Sequence, residues 1–317
     1  MYKNATFIFF LILGGIALQA QNNGMYTKYI FNSLAYNPAY AGYYDHLYVG
    51  TSYKDMWQGI DGAPTTQTLT IHTPLRSAKV AMGLNLVNDA IGPIGQTKAN
   101  LSYSYRIPLG GTNILSIGIQ GGLSYWRADL KKLSLAGTSL ANTNSTRVSP
   151  NFGAGILFYN KSFYVGVSSP QVVEQEYRFS SMNNLPFAKE YRRSYFAAGA
   201  AIPIKGERIV FKPSILVKNV GLFSEVSRNV GALTEYDVDL SLLFNQGLQI
   251  GVSFRSAIET FYERSSFNSS DIWMSYQLKN GLRLGASFEN TVTFDSFEVM
   301  VGYQFNYRRA RVTKRYF

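Results

Sequence analysis

The last part of the chain alternates between apolar and polar positions over two adjacent segments. Over 282–289 the apolar side chains fall at every second position, beginning at Leu282. A turn at Asn290–Asp295 follows, and then Phe, Val and Tyr occupy the odd positions of 296–307. A period of two indicates strands with one apolar and one polar face. Aromatic residues at the ends of the apolar row are typical of lipid-facing strands.

The same pattern recurs along the chain and predicts about fourteen strands, an even number like that of bacterial outer-membrane barrels. The predicted strands lie near 47–54, 65–73, 78–88, 95–108, 113–128, 151–159, 162–169, 193–204, 207–218, 234–244, 248–256, 269–278, 282–289 and 296–307.

The connections between these strands alternate in length. Long or intermediate connections are predicted at Asp55–Pro64, Asp89–Ile94, Asp129–Pro150, Pro170–Arg192, Asn219–Leu233, Ala257–Asn268 and Asn290–Asp295. Tight turns separate them, at Leu75–Ser77, Leu109–Thr112, Asn160–Lys161, Lys205–Gly206, Asn245–Gly247 and Lys279–Gly281. The sequence therefore predicts an all-β fold, a transmembrane up-and-down antiparallel β-barrel with short periplasmic turns and longer extracellular loops. A Greek-key sandwich would not alternate in this way.

Two further segments precede the barrel. Residues 1–20 have Lys3, an apolar core and a small-residue cleavage site, as in a secretory signal peptide; an uncleaved anchor helix is the alternative. Residues 21–46 are rich in Tyr, and we expect them to pack on or in the barrel, although an interfacial aromatic belt is equally compatible. The barrel is assigned to 47–307, and 308–317 to a basic periplasmic tail.

Composition supports a membrane barrel. The 317 residues are 46% hydrophobic and only 15% charged, below the roughly 25% of soluble domains. Beyond the N-terminus no apolar run approaches the roughly 20 residues of a membrane helix. The absence of Cys excludes thiol chemistry and Cys metal sites. The net charge of +11 is scattered except in the tail, which favours acidic lipopolysaccharide or an acidic protein partner over nucleic acid.

The polar face of each strand should line the lumen. Six glycines fall on it, which either leaves room inside the barrel or lets the strands coil tightly: Gly83, Gly118, Gly166, Gly251, Gly285 and Gly302. A three-residue hairpin at Asn245–Gly247 would place Asp237 opposite Arg255. Four inward charges are interpreted as a structural charge ladder, since facing opposite charges stabilise sheets: Asp237, Asp239, Arg255 and Arg283.

Candidate chemistry is sparse. The two histidines are His46 and His72, and the parity of its strand places His72 in the lumen. A barrel lipase or deacylase would need a Ser–His pair, but no G-x-S-x-G motif is present, and a lone inward His is usually structural. No phosphate loop or metal-ligand pattern appears. The sequence therefore predicts no catalytic residues, no metal and no cofactor.

Three motifs in the first part of the chain carry a resemblance to a known family. They are Phe31–Gly42 (FNSLAYNPAYAG), Trp57–Gly59 (WQG) and Gly62–Leu75 (GAPTTQTLTIHTPL). Over Tyr26–Leu75 the sequence resembles the PorP/SprF family of type IX secretion system membrane proteins. Beyond about residue 110 the agreement is in length, strand number and periodicity.

The resemblance implies an outer-membrane barrel of the type IX secretion and gliding apparatus. The alternation of short turns and long loops predicts that both termini lie in the periplasm. Some members belong to the secretion machine, and others export or anchor a secreted adhesin through its C-terminal domain; neither role is enzymatic. The expected partners are that domain, other secretion components, and outer-membrane lipid. A passive diffusion porin and a lipid-modifying enzyme centred on His72 are the alternatives.

Two sets of residues are candidates for partner binding. The first lies in the aromatic segment and comprises Asn37, Pro38, Tyr40, Tyr43 and Tyr44. The second is the basic tail, which could dock an acidic periplasmic protein or could have no partner; its cations are Arg308, Arg309, Arg311, Lys314 and Arg315.

Overall fold

The alternating segments form the wall of a closed barrel in a computed structural model of the protein. The structure describes residues 29–129, 144–178, 186–222, 234–258, 265–291 and 295–305. The first half of the chain contributes β1 (Tyr48–Met56), β2 (Thr65–Pro74), β3 (Val80–Ile91), β4 (Ile94–Gly110), β5 (Asn113–Asp129), β6 (Asn144–Tyr159), β7 (Phe163–Gln171), β8 (Gln175–Arg178) and β9 (Pro186–Glu190). The second half contributes β10 (Arg193–Ala200), β11 (Ile202–Pro203), β12 (Ile209–Val220), β13 (Thr234–Phe244), β14 (Leu248–Ile258), β15 (Ser265–Gln277), β16 (Leu282–Thr291) and β17 (Asp295–Gln304).

The sheet closes on itself. Sequential neighbours pair antiparallel around the barrel, β1 pairs with β17, and β10 pairs with β12. Of the 15 strands in this sheet, the two-residue β11 pairs only with β12 and lies beside no other strand. The remaining fourteen described strands complete the circuit and confirm the predicted up-and-down barrel. Because β1 and β17 hydrogen-bond to each other, there is no free sheet edge between the first and the last strand.

The two ends of the barrel differ in their connections. Tight turns lie at what we call the short-turn end, where β1 begins and β17 ends. The other end, called the long-loop end, carries the remaining connections, including 57–64, 172–192 and 221–233. Strands β8 and β9 form a separate two-stranded hairpin within the connection from β7 to β10. The sequence pattern did not predict this hairpin.

One predicted loop is a tight turn instead. Strand β3 continues to Ile91 and β4 starts at Ile94, so the expected connection at Asp89–Ile94 shrinks to Gly92 and Pro93. Gly92 has a φ of 50°, which a residue without a β-carbon adopts at little cost. The pairing therefore extends through Asp89 up to the turn itself.

The outer surface of the barrel is apolar. Along β17 the side chains alternate, so that Phe297, Val299, Val301 and Tyr303 are exposed and the residues between them are buried. Exposed aromatic side chains also lie towards the strand ends, among them Tyr53, Tyr105, Tyr125, Phe163, Phe254 and Tyr276. This distribution is that of a lipid-facing wall with aromatic residues near the interfaces. Within the described residues, no helix is long and apolar enough to cross a bilayer.

Candidate functional site

Residues Tyr29–His46, which we call the lumenal segment, fold into two short turns of 3-10 helix before β1 begins. The first spans Ser33–Ala35 and the second Pro38–Tyr40. Asn37 precedes the second turn, and its side-chain oxygen accepts a hydrogen bond of 2.9 Å from the backbone N–H of Ala39. An Asn cap followed by Pro at the first helical position is a favoured start. The sequence Asn-Pro-Ala-Tyr therefore specifies this local geometry.

The lumenal segment is hydrogen-bonded to the barrel wall. Three serines on β4, β5 and β7 donate to its backbone carbonyls, and one of its own side chains donates to β6. The bonds are Ser104 Oγ to Ala41 O (2.9 Å), Ser116 Oγ to Ala39 O (2.7 Å), Ser168 Oγ to Tyr36 O (2.7 Å) and Asn37 Nδ2 to Ile156 O (3.1 Å). Carbonyls that a helix would pair internally are therefore satisfied by inward side chains of the wall.

The first residues of the segment contact other parts of the wall. Asn32 Oδ1 accepts hydrogen bonds from Thr70 Oγ1 (2.7 Å) and Asn85 Nδ2 (3.3 Å). The Tyr29 hydroxyl lies 2.7 Å from Ser214 Oγ on β12. The segment therefore reaches from β2 and β3 across the lumen to β12.

Aromatic contacts reinforce this docking. Tyr36 meets Tyr195 edge-on at 5.2 Å, and Tyr43 lies 4.8 Å from the ring of Tyr159. Three further ring pairs join the segment to the wall: Phe31 and Trp273 (5.3 Å), Tyr40 and Tyr164 (6.3 Å), and Tyr44 and His72 (5.4 Å). Burial raises the pKa of Tyr36 and of Tyr40 well above the ordinary range, so both hydroxyls stay neutral at physiological pH.

Inward glycines make room for the segment. A β-carbon on Gly118 would overlap the backbone of Pro38 and Ala39, and one on Gly155 would overlap the Asn37 side chain. A β-carbon on Gly83 would lie 2.7 Å from Leu34 Cδ2. These glycines therefore face the lumen at the positions where the segment approaches the wall most closely. Gly251 and Gly302 leave room instead for the rings of Trp273 and Tyr48.

Arg106 anchors the exit from the segment into β1. Its Nη2 group forms an ion pair with Asp45, and its Nε donates to the Tyr159 hydroxyl at 3.1 Å. Its Nη1 donates to the backbone carbonyl of Ala78 at 3.2 Å. One buried guanidinium thus joins the end of the segment to β6 and to the turn before β3.

A network of charges lines the long-loop half of the lumen. Glu289 on β16 accepts from Lys54 Nζ at 2.7 Å and from Arg255 Nη1 at 2.9 Å. Arg255 also pairs with Asp237 at 2.9 Å, directly across the β13–β14 pair. Asp239 accepts from Trp273 Nε1 at 2.6 Å and bonds to Ser253. Arg283 lies apart from this network, at the short-turn end of β16.

A second network holds the β8–β9 hairpin against the wall. Glu190 at the end of β9 accepts from Lys98 Nζ on β4 at 2.6 Å and from Arg193 Nη2 at 3.0 Å. Burial alone would raise the pKa of the Glu190 carboxyl, but the two cations outweigh it and hold that pKa well below its usual range. At neutral pH the carboxylate is therefore charged and ties the hairpin to β4.

The structure places the first predicted partner-binding set in the lumen. Asn37, Pro38 and Tyr43 are buried there, and Tyr40 and Tyr44 are partly buried. Their observed contacts are with the barrel itself, among them the Asn37–Ile156 hydrogen bond and the Tyr43–Tyr159 ring contact. Of the second set, Arg308, Arg309, Arg311, Lys314 and Arg315 all lie outside the described residues, as do residues 1–28.

His72 does not face lipid. It is 4% exposed, stacks on Tyr44 and lies 5.2 Å from the ring of Tyr48. Among the described residues, no group of three or more metal-ligating side chains is placed to hold a metal ion. The arrangement around His72 is that of a side chain packed between the segment and the wall.

An ordered loop at the long-loop end carries the second sequence motif and the first residues of the third, which continues along β2. Residues 57–64 connect β1 to β2, and three backbone hydrogen bonds pin them. These run from Met56 N to Pro64 O (3.0 Å), from Gln58 N to Asp295 O (3.1 Å) and from Gly92 N to Gly62 O (2.8 Å). The pinned loop leaves Ile60 and Asp61 exposed.

A closed barrel with an apolar exterior and a polar lumen defines an outer-membrane β-barrel protein. Among solved structures, the chain is similar to the CymD monoaromatic hydrocarbon channel, at 8% identity and a TM-score of 0.54, with 87% of this chain and 93% of that chain covered. It is also similar to Acinetobacter baumannii Omp33, at 12% identity and a TM-score of 0.46, with 82% and 98% covered. The KdgM porin matches at 10% identity and 0.41, with 81% and 99% covered.

The chain belongs to the PorP/SprF family. The family model for type IX secretion system membrane protein PorP/SprF matches residues 18–303. This range includes the lumenal segment and every barrel strand, except the last residue of β17. No match was found among curated proteins. The motif over Phe31–Gly42 that suggested this family is the part of the chain that lies inside the barrel.

Proposed function

We propose that this protein acts in type IX export or surface anchoring of a secreted adhesin by binding the adhesin's C-terminal domain. The observation that carries the proposal is the family match over residues 18–303. We assign the short-turn end, where β1 begins and β17 ends, to the periplasm, because short turns are typical of the periplasmic side of outer-membrane barrels. The long-loop end would then face the cell exterior, where an anchored adhesin must be held.

The pinned loop at 57–64 is the docking element that we assign to this role. It is ordered by backbone hydrogen bonds, so binding would not require a large loss of conformational freedom. It presents Ile60, which is 40% exposed, next to the exposed Asp61. An exposed apolar side chain on a fixed loop is suited to burial in a protein interface.

A passive diffusion porin is the second candidate. A related fold serves as a channel in CymD, and small residues line the lumen of this barrel. The lumenal segment argues against it, because the space left by Gly83, Gly118 and Gly155 is occupied by protein. A lipid-modifying enzyme is less favoured still, since His72 packs on Tyr44 rather than facing lipid.

Co-purification from the native host tests the main proposal. The protein would carry an affinity tag in the exposed turn at Gly110–Gly111, and proteins recovered after mild solubilisation would be identified. We expect a surface adhesin or secretion components to be recovered with it. Recovery of neither, from a correctly assembled barrel, would contradict the proposal.

A matched pair of variants tests the docking loop. Ile60→Asp places a charge in the proposed interface, whereas Leu75→Asp places one at the short-turn end, where Leu75 is 41% exposed. We expect I60D to lower adhesin recovery at least tenfold and L75D to leave it unchanged. Equal recovery with both variants would remove the loop from the binding site.

A further inference from the structure

Positively charged side chains surround the short-turn end of the barrel. The described turns at this end carry six exposed cations, which we call the cationic rim: Arg76, Lys79, Lys161, Lys205, Arg208 and Lys279. The same described turns carry one exposed carboxylate, that of Glu207, and its Oε2 accepts a hydrogen bond of 2.8 Å from Gln246. Positive charge is therefore in clear excess at this end.

Most of the rim is not neutralised by the barrel itself. Within the part of the chain that the structure describes, none of five rim residues forms an ion pair: Arg76, Lys79, Lys161, Lys205 and Arg208. Inside the barrel, by contrast, Lys54, Lys98 and Arg106 are each paired with a carboxylate. Exposed cations without such partners are available to anions outside the protein.

The rim cations are spread around the circumference. They lie in four of the six tight turns, those between β2 and β3, β6 and β7, β11 and β12, and β15 and β16. These strands are distributed over the whole circuit of the barrel. A protein docked at one side would meet only part of such a rim, whereas a lipid leaflet surrounds it completely.

Exposed apolar side chains occur in the same turns and supply an independent observation. Ile202 and Ile204, immediately before Lys205, are 49% and 64% exposed, and Leu109 in the neighbouring turn region is 55% exposed. Phe163, two residues after Lys161, is 40% exposed. Apolar side chains interleaved with Lys and Arg are typical of the boundary between acyl chains and headgroups. An acidic protein would account for the cations but not for these apolar neighbours.

The long-loop end has a different charge distribution. Carboxylates lie among its cations, for example Asp61 in the pinned loop and Glu174 beside Lys189. The excess of exposed positive charge is therefore a property of the short-turn end rather than of the outer surface as a whole.

We propose that the cationic rim binds the phosphate groups of anionic phospholipids in the surrounding leaflet. The acyl chains of these lipids would lie against Ile202, Ile204 and Leu109, and the rim cations would extend to the headgroups. Because the short-turn end is assigned to the periplasm, the lipids would belong to the periplasmic leaflet of the outer membrane. This binding does not depend on the proposed role in adhesin export.

Lipid selectivity in a bilayer tests the proposal on the unchanged protein. Full-length protein would be reconstituted in phosphatidylcholine bilayers that contain a trace of spin-labelled phosphatidylglycerol or of spin-labelled phosphatidylcholine. Electron spin resonance distinguishes lipid in contact with the protein from bulk lipid, and so gives a relative association constant for the two headgroups. We expect phosphatidylglycerol to be preferred roughly threefold or more at low ionic strength. The preference should nearly vanish at about 1 M salt, where the Debye length is about 3 Å.

Variants locate the contact. The double variant Lys205→Gln with Arg208→Gln should lower the preference for phosphatidylglycerol, and replacing all five unpaired rim cations by Gln should abolish it. The matched control is Arg127→Gln with Arg192→Gln, because both arginines lie at the long-loop end of the barrel. Heat-modifiable migration on gels would verify that each barrel is folded, and the double variant still tests the rim if the fivefold variant does not fold.

Three results would overturn the proposal. The first is equal association of the two lipids with the parent protein at low salt, which would leave an acidic protein as the partner of the rim. The second is an unchanged preference in the rim variants, which would assign the lipid contact to other cations. The third is an equal loss of preference in the rim double variant and in the long-loop control.

Discussion

Asn37 of the lumenal segment donates a hydrogen bond of 3.1 Å to the backbone carbonyl of Ile156 on β6. The oxygen of the same side chain caps the turn at Pro38–Tyr40 by accepting from the Ala39 N–H. One buried amide therefore fixes the local fold of the segment and attaches it to the wall. A segment attached in this way places the protein's own chain inside the lumen.

Replacing Asn37 by Ala should loosen the segment. Both hydrogen bonds are lost and the Ile156 carbonyl keeps no partner from the segment, a change worth about 1–3 kcal/mol. Urea unfolding of the detergent-solubilised barrel would measure it. Asn280→Ala is the control, since Asn280 is exposed and caps only the turn before β16. A loss from N37A no larger than that from N280A would contradict this role for Asn37.

A single β-carbon on β5 should displace the segment. Gly118→Ala would overlap the backbone of Pro38 and Ala39, whereas Gly121→Ala on the same strand meets nothing nearer than Phe152 at 3.9 Å. We expect a cysteine at position 39 to become labelled by a soluble maleimide at least tenfold faster in G118A. The rate in G121A should match that of the parent, and equal rates in all three proteins would show that the segment does not dock on β5.

The buried charges around Glu289 should contribute more to stability than exposed ones. Glu289→Gln removes the buried carboxylate that pairs with both Lys54 and Arg255, and such losses typically cost about 3–5 kcal/mol. Glu174→Gln removes the more exposed pair with Lys189, which is worth about 0–1 kcal/mol. Urea unfolding free energies of the two variants would compare them. Similar values would mean that solvent screens the network inside the lumen.

The attachment of the β8–β9 hairpin should depend on pH only under acidic conditions. Lys98 and Arg193 hold the pKa of Glu190 below its unfolded value, near 4.3 for Glu. A lowered folded pKa gives stabilisation that is complete above the unfolded value and is lost as the pH falls through the folded one. Hydrogen-exchange protection of the hairpin amides should therefore be constant from neutral pH to about pH 5 and should decline below about pH 4.

Glu190→Gln provides the comparison for this pH dependence. It should lower hairpin protection at neutral pH and remove the acid-dependent decline, because no charge remains to titrate. Glu174→Gln serves as the control, since Glu174 pairs with Lys189 of the hairpin but not with β4. A decline of equal size in E190Q and in the parent would assign the effect to another group.

The sequence predicted the wall well, because a lipid-facing strand must place an apolar side chain at every second position. Residues 296–307 alternate without a break, and the structure forms β17 over Asp295–Gln304. The turn at Gly92 was missed, because the alternation weakens between Asp89 and Ile94 and did not show that pairing continues.

The interior could not be predicted in the same way. The Asn37–Ile156 bond joins residues 119 apart, and the Glu190–Lys98 pair joins residues 92 apart. Strand β9 has five residues and β8 has four, and strands this short do not show a clear alternation of apolar and polar positions. Local patterns contain no information on such contacts. The inward glycines were a usable signal of space in the lumen, but only the structure shows what occupies it.

Conductance in planar bilayers tests most directly whether the protein's own N-terminal segment closes the lumen. The intact protein would be compared with a variant lacking residues 33–44, after both are shown to be folded by heat-modifiable migration. We expect little steady conductance from the intact barrel and a large, steady conductance from the deletion variant. A steady conductance of the same size from both proteins would contradict closure of the lumen by this segment.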